Sequence, residues 1–168
     1  IYDIVQNRNS AGLVPINDVL DITFSKLEEL YNNVGSLTGV PSGFIDLDRK
    51  TSGFQKSDLI LIAARPSMGK TSFALNIASY AAIHHHIPVA IFSLEMSKEQ
   101  LVSRIIACEA LVDMEKMRSG RFEDEDWVKM AQIMGPLSKA PIYIDDNANI
   151  NVMEMMSKCR RLKMKRGL

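Results

Sequence analysis

The stretch Asp58-Leu-Ile-Leu-Ile-Ala-Ala-Arg-Pro-Ser-Met-Gly-Lys-Thr71 decides how this chain folds. Its first half, residues 58–64, is a short apolar run typical of a strand that is buried on both faces of a parallel sheet. The residues from Lys70 to His84 carry apolar side chains that predict a helix. Between them, Ala64–Thr71 matches the pattern GxxxxGK[ST], except that alanine replaces the first glycine. The sequence therefore predicts a strand, a phosphate-binding loop and a helix in succession.

The residue types of this loop suit the binding of a nucleotide. Backbone N–H groups of the loop and the positive end of the following helix would face the phosphates. Gly69 allows close approach of the backbone, Lys70 offers a positive charge to the β- and γ-phosphates, and the Thr71 hydroxyl can ligate Mg²⁺. We therefore expect ATP and Mg²⁺ as ligands, with Lys70 also serving catalysis. The expected nucleotide-binding residues are Ser67, Met68, Gly69, Lys70, Thr71 and Ser72.

The rest of the chain alternates between strand and helix patterns. Such alternation implies right-handed βαβ units and a mainly parallel sheet flanked by helices, which is an α/β fold. Strands are predicted at 88–93 and 141–144, and helices at 97–109 with Ser97 as the cap, around 113–118, around 123–134 and at 151–165.

The amino-terminal part has a different pattern. Residues 1–14 are polar and are interpreted as a hinge or linker. From Pro15 to Tyr31, apolar side chains recur at steps of three and four residues, which predicts an amphipathic helix. Its apolar stripe has two possible partners, because the helix can fold back on its own domain or dock on another subunit.

Composition limits the classes of protein that the chain can belong to. The 168 residues carry 20 basic and 20 acidic side chains, so the net charge of zero gives no support to binding a polyanion with the whole surface. Cys108 and Cys159 match no metal-ligand spacing and are expected to be reduced. No apolar stretch reaches the roughly 18 residues of a membrane span, and no signal peptide pattern opens the chain. We expect a cytoplasmic protein without a membrane partner.

Glu95 is the candidate catalytic carboxylate. It directly follows the predicted strand at 88–93, at the edge where parallel sheets place their ligands. There it could orient and deprotonate the water that attacks a γ-phosphate. The alternative is a solvated or capping glutamate just before Ser97, and position alone does not separate the two.

Two charged or polar clusters suggest sites but have simpler interpretations. The triplet His84–His86 at a helix end cannot converge on one metal ion, so a polar helix terminus is favoured. The basic run from Lys158 to Arg166 could contact phosphates. Apolar side chains are interspersed through it, which favours a solvated helix face.

Several segments together resemble one family, the DnaB family of hexameric replicative helicases, whose motor domain is RecA-like. Ala63–Asn76 is similar to the family's ATP-binding signature, and Phe92–Ser97 resembles the segment with its catalytic glutamate. Further similar segments are Thr51–Leu59, Ser119–Gly120 and Pro141–Asp146. The resemblance runs from about Val14 to the last residue.

The resemblance implies a RecA-like P-loop NTPase fold in which Glu95 is catalytic. Residues 1–40 would be a hinge and a linker helix that docks on the neighbouring subunit of a hexameric ring. Residues 41–168 would be the amino-terminal portion of the ATPase domain. Such helicases hydrolyse ATP, translocate on single-stranded DNA and separate the duplex, with primase and a helicase loader as partners.

The resemblance also implies that parts of the family pattern lie outside these 168 residues. The amino-terminal helical domain would precede Ile1, and the Walker B aspartate, DNA-binding loops and arginine finger would follow Leu168, so the ATPase domain is incomplete at its carboxyl side. Asp145 and Asp146 are accordingly interpreted as the cap of the last helix. We expect nucleotide binding that depends on Lys70, with negligible turnover by this chain alone. Another RecA-like ATPase, or a nucleotide-binding interaction fragment, remains an alternative.

Overall fold

The computed structural model describes residues 14–32 and 37–166. The chain divides into two compact units, residues 1–36 and 37–168. In the first unit, helix α1 spans Ile16–Asn32 and confirms the predicted amphipathic helix. It begins directly after Pro15, and Asp18 lies in its first turn, where the positive end of the helix favours a carboxylate. The hinge predicted at residues 1–14 lies almost entirely outside the described residues.

The second unit is built around two parallel strands. Val89 lies opposite Ile142 and Phe92 opposite Asp145. Because parallel strands need a crossover connection, the helices between the two strands supply it. This confirms the predicted α/β class with a parallel sheet. In chain order the elements are α2 (Ile45–Thr51), α3 (Lys70–His85), β1 (Val89–Phe92), α4 (Lys98–Ala110), α5 (Met114–Ser119), α6 (Asp124–Lys139), β2 (Ile142–Asp145) and α7 (Val152–Arg166).

A small apolar core joins the sheet to the helices. Leu75 of α3 packs with Leu101 and Ile105 of α4, and all three are buried. Ile91 of β1 and Ile144 of β2 pack against this cluster. A second cluster of Ala110, Val112 and Met130 joins the end of α4 to α6. The first cluster therefore packs β1 and α3 together, and the second packs α6 against the end of α4.

The strand predicted at residues 58–64 is not formed. These residues have no regular secondary structure, and Leu59 and Leu61 are 86% and 83% exposed. Ile60 and Ile62 line one side of a cavity of about 630 Å³, and β1 lines another side of it. The run therefore lies apart from β1 and pairs with neither β1 nor β2. An apolar run without a hydrogen-bonding neighbour does not become a strand, which is why the prediction was wrong.

Helix starts follow the capping chemistry of the sequence. Ser97 caps α4, as predicted, and forms a capping box with Gln100, while Asp113 caps α5.

Two helices differ from the sequence prediction. Helix α6 was expected to end near Met134, but it continues through Pro136 to Lys139. Helix α2 was not predicted, since it has only seven residues and little periodicity.

The interpretation of Asp145 and Asp146 as the cap of the last helix was wrong. Asn151 takes that place, because its side chain accepts a hydrogen bond from the Glu154 N–H at 3.0 Å. Asp145 is instead the last residue of β2 and pairs with Lys158 of α7. Asp146 accepts a hydrogen bond from α4. Asparagine is as good a cap as aspartate, so residue type alone could not decide between them.

The triplet His84–His86 lies at the carboxyl end of α3. His84 and His85 pack against the ring of Tyr80, and His86 ends α3 in a left-handed conformation. None of the helices in residues 14–32 and 37–166 is long and apolar enough to cross a membrane.

An ion pair between α5 and α6 makes the stability of the fold depend on pH. The Lys116 ammonium lies 2.8 Å from the carboxylate of Asp126, a buried residue. This hydrogen bond, with one from the Glu123 N–H, holds the pKa of Asp126 below its ordinary value. A lowered folded-state pKa stabilises the protein above the unfolded-state pKa of about 3.9, and the stabilisation is lost as the pH falls through the folded-state pKa.

We therefore expect Asp126→Asn to lower the urea midpoint at pH 7 and to reduce the loss of stability between neutral and strongly acidic pH. Urea unfolding of the chain at a series of pH values measures both effects. Asp124→Asn, at an exposed position in the first turn of the same helix, is the matched control. Parallel stability curves for Asp126→Asn and the wild type would contradict the assignment.

Candidate phosphate-binding site

The loop before α3 contains two residues with positive φ. Gly69 is the residue before the first helical position and has a φ of 83°. A Cβ at Gly69 would meet no atom within 4 Å, so glycine is favoured by the backbone conformation rather than by lack of space. Ser67 also has a positive φ, 65°. Two left-handed residues two positions apart turn the chain tightly into the helix.

The start of α3 differs from the starts of α4 and α5. Those two helices are capped by the side chains of Ser97 and Asp113. Helix α3 follows a glycine, which has no side chain to accept a hydrogen bond from the first-turn N–H groups. These groups have no partner within the helix, and the helix dipole adds a positive potential. The start of α3 therefore suits an anion.

The predicted site residues lie around one cavity of about 630 Å³ beside this loop. The loop forms one wall, and Glu95 comes to the same cavity from the turn after β1. The lining residues are Ala64, Arg65, Pro66, Ser67, Met68, Gly69, Lys70, Thr71, Ser72, Glu95, Met96 and Arg104. The structure thus brings together all six predicted nucleotide-binding residues and the predicted catalytic carboxylate.

The turn that carries Glu95 is held by hydrogen bonds of its own residues. The Ser93 hydroxyl accepts the Met96 N–H at 3.1 Å and donates to the Met96 carbonyl at 2.7 Å. Ser97 and Gln100 supply the cap of α4, so Glu95 does not have the capping role that the sequence left open. The carboxylate of Glu95 is exposed and lines the cavity.

Arg104 is a cavity residue that the sequence reasoning missed. Its Nη1 donates a hydrogen bond to the Ser72 hydroxyl at 3.3 Å and so joins α4 to the first turn of α3. Arg104 lies seven residues after Ser97, which is two helical turns, and therefore on the face of the α4 cap. That spacing was the available signal. Arg104 adds a third positive side chain, besides Arg65 and Lys70, to the lining of this cavity.

A second cavity, of about 870 Å³, adjoins the first between α4 and α5. Glu95, Met96 and Arg104 line both cavities. Glu99 lines only the second, and hydrogen bonds from its own backbone N–H and from Ser97 hold the pKa of Glu99 below its ordinary value. Glu95 therefore lies at the junction of two cavities, the one beside the phosphate loop and the one between α4 and α5. The second cavity is lined by both acidic and basic side chains.

The Thr71 hydroxyl beside the loop suits a magnesium ion whose other ligands would be mainly phosphate oxygens and water. Over the described residues, no group of three or more His, Cys, Asp or Glu side chains is arranged to hold a metal. Mg²⁺ usually keeps several waters and is held by few protein groups together with substrate phosphates, and in P-loop proteins a Ser or Thr hydroxyl is one of these groups. The Thr71 hydroxyl, in the first turn of α3 and on the cavity wall, suits such a role.

Comparison with known proteins identifies the family of this chain. Residues 39–168 match the family described as DnaB-like helicase C terminal domain. The chain is 49% identical over all 168 residues to "Replicative DNA helicase DnaC" of Bacillus subtilis and to "Replicative DNA helicase DnaB" of Geobacillus stearothermophilus, and covers 37% of each. It therefore spans little more than a third of the length of these relatives.

Two solved structures have the same fold. One of them, described as an ATPase domain, superposes with a TM-score of 0.81 at 38% identity, over 88% of this chain and 52% of that one. "The Structure Of A DnaB-Like Replicative Helicase And Its Interactions With Primase" also gives 0.81, at 37% identity, over 92% of this chain and 36% of that one.

The fold and the loop define an α/β domain of the P-loop class with a RecA-like arrangement. Within that class, the chain belongs to the family of DnaB-like helicase C-terminal domains. The family that the sequence motifs resembled is thereby confirmed.

Proposed function

We propose that this chain is the ATP-binding part of a replicative DNA helicase that couples ATP hydrolysis to movement on single-stranded DNA. One observation carries the proposal, namely that the phosphate-binding loop and Glu95 line the same cavity. A loop alone would support nucleotide binding, whereas a carboxylate facing the loop supports hydrolysis as well. Membership of the DnaB-like helicase family supports DNA unwinding as the process that this hydrolysis drives.

The loop residues Ser67–Ser72, together with Glu95 and Arg104, have distinct roles in the proposed hydrolysis. The N–H groups of Ser67–Ser72 and the Lys70 ammonium bind the β- and γ-phosphates, and the Thr71 hydroxyl is a ligand of Mg²⁺. Mg²⁺ held there would neutralise phosphate charge. Glu95 orients the attacking water and accepts its proton. Arg104 fixes the Ser72 hydroxyl and adds positive charge beside the phosphates.

The proposal includes the organisation of the whole protein. Residues 1–40 serve as hinge and linker, with α1 docking on a neighbouring subunit, and residues 41–168 belong to the motor domain. The subunits form a hexameric ring in the cytoplasm around single-stranded DNA. Primase and a helicase loader are partners. Its support is the family match together with the length of the relatives, of which the chain covers 37%.

A strand-displacement assay with the full-length protein tests this function. We expect ATP-dependent separation of a forked duplex, and ATP hydrolysis that increases when single-stranded DNA is added. Lys70→Ala is the inactive comparison. Hydrolysis that ignores DNA, with no strand separation by an assembled ring, would favour a different RecA-like ATPase and contradict the proposal.

A further inference from the structure

Two consecutive residues at the end of β2 contact both ends of the turn that carries Glu95. The carbonyl of Asp145 accepts the Ser93 N–H at 2.8 Å, which extends the pairing of β1 and β2 by one hydrogen bond. The carboxylate of Asp146 accepts the Lys98 N–H at 3.1 Å. Glu95 lies between Ser93 and Lys98, so the turn is held at both ends by one short segment of chain.

Asp146 is well suited to fix the start of α4. Lys98 is the first residue of the helix, and its N–H has no partner inside the helix. The Asp146 carboxylate meets this N–H near the positive end of the helix. It also lies 3.8 Å from the Lys98 ammonium. Asp146 comes from a segment 48 residues away in sequence, so the contact ties the turn to the sheet edge rather than to its own helix.

We propose that Asp146 is a positioning residue that holds the Glu95 turn at the distance from the phosphate loop that hydrolysis requires. The inference rests on the proposed function, since it assigns Asp146 an effect only through Glu95. Ser93 fixes the turn internally, and Asp146 fixes it relative to β2. Asp146 does not line the cavity with the phosphate loop, so it is assigned no contact with the nucleotide.

Removal of this contact should lower the rate of hydrolysis without weakening nucleotide binding. Displacement of a catalytic group by about 1 Å can cost on the order of 100-fold in rate. For Asp146→Ala in the full-length protein we expect kcat for ATP to fall roughly 10- to 100-fold, with KM within about twofold of the wild type. Asp146→Asn keeps an oxygen that can accept the Lys98 N–H and should recover most of the lost rate.

Lys98→Pro tests the same hydrogen bond by removing its donor, the Lys98 N–H. Proline is well tolerated at the first position of a helix, and Ser97 already has the extended conformation, with φ −69° and ψ 158°, that a residue before proline requires. Lys98→Ala removes the same ammonium group but keeps the N–H. Lys98→Pro should therefore have a lower kcat than Lys98→Ala, and this comparison decides the matter if Asp146→Ala does not fold.

A double-mutant cycle with Glu95→Gln separates positioning from general destabilisation. In the Glu95→Gln background, Asp146→Ala should cause no further loss of kcat, because it acts through Glu95. Equal losses in both backgrounds would overturn the inference and leave the role of Glu95 intact. Wild-type kcat in Glu95→Gln itself would instead refute the proposed catalytic role. Asp113→Ala, which removes the capping carboxylate of α5, controls for loss of a helix cap and should leave kcat unchanged.

Discussion

Replacement of Glu95 by glutamine should lower kcat for ATP hydrolysis by the full-length protein by about 10²- to 10⁴-fold, the usual contribution of a general base. Glutamine keeps the size of the side chain but cannot accept the proton of the attacking water. KM for ATP should change little, because the proposed phosphate contacts are made by the loop at Ser67–Ser72 and not by Glu95. Steady-state hydrolysis at saturating single-stranded DNA measures both constants.

Glu99→Gln is the matched control for this substitution. Glu99 lies four residues beyond Glu95 and lines only the adjoining groove between α4 and α5. Its replacement should leave kcat nearly unchanged, because Glu99 does not line the cavity beside the phosphate loop. If the two substitutions lowered kcat equally, the effect would be a loss of local charge, and Glu95 would not be the base.

Replacement of Lys70 by alanine should weaken ATP binding by roughly 10- to 150-fold, since hydrogen bonds to charged groups contribute about 1.5–3 kcal/mol. Lys70 is the first residue of α3, and it is exposed on the cavity wall with the uncapped N–H groups of that helix. A titration of the 168-residue chain with a fluorescent ATP analogue in the presence of Mg²⁺ measures the effect.

Lys56→Ala controls for the general loss of a positive charge. Lys56 is an exposed lysine in the turn before the apolar run, and it does not line the cavity. Its replacement should leave the affinity for the analogue nearly unchanged. Equal weakening by the two substitutions would mean that the nucleotide binds by diffuse attraction rather than at the loop.

Local chemistry made much of the fold predictable. The pattern of apolar side chains located α1, α3 and α4, and Ser97 with Gln100 marked the start of α4. The site was predictable for a similar reason, because the loop Ala64–Thr71 is contiguous in sequence. Glu95 was placed near it by the rule that the carboxyl ends of parallel strands meet the ligand.

The features that were missed depend on contacts between distant parts of the chain. Residues 58–64 have the composition of a buried strand, but a strand forms only where a neighbour pairs with it. Arg104 reaches the cavity because α4 packs against α3, which brings it to Ser72 across 32 residues of sequence. Asp146 contacts the start of α4 rather than the start of α7, and no local pattern distinguishes the two.

Amide chemical shifts of the ¹⁵N-labelled 168-residue chain, followed as Mg²⁺ and ATP are added, test the central claim most directly. The phosphate loop at Ser67–Ser72 should show the largest changes, with smaller ones at Glu95 and Met96 on the opposite wall of the cavity. Largest changes in the groove between α4 and α5, at Met114–Arg118, with the loop unaffected, would place the nucleotide elsewhere and contradict the account.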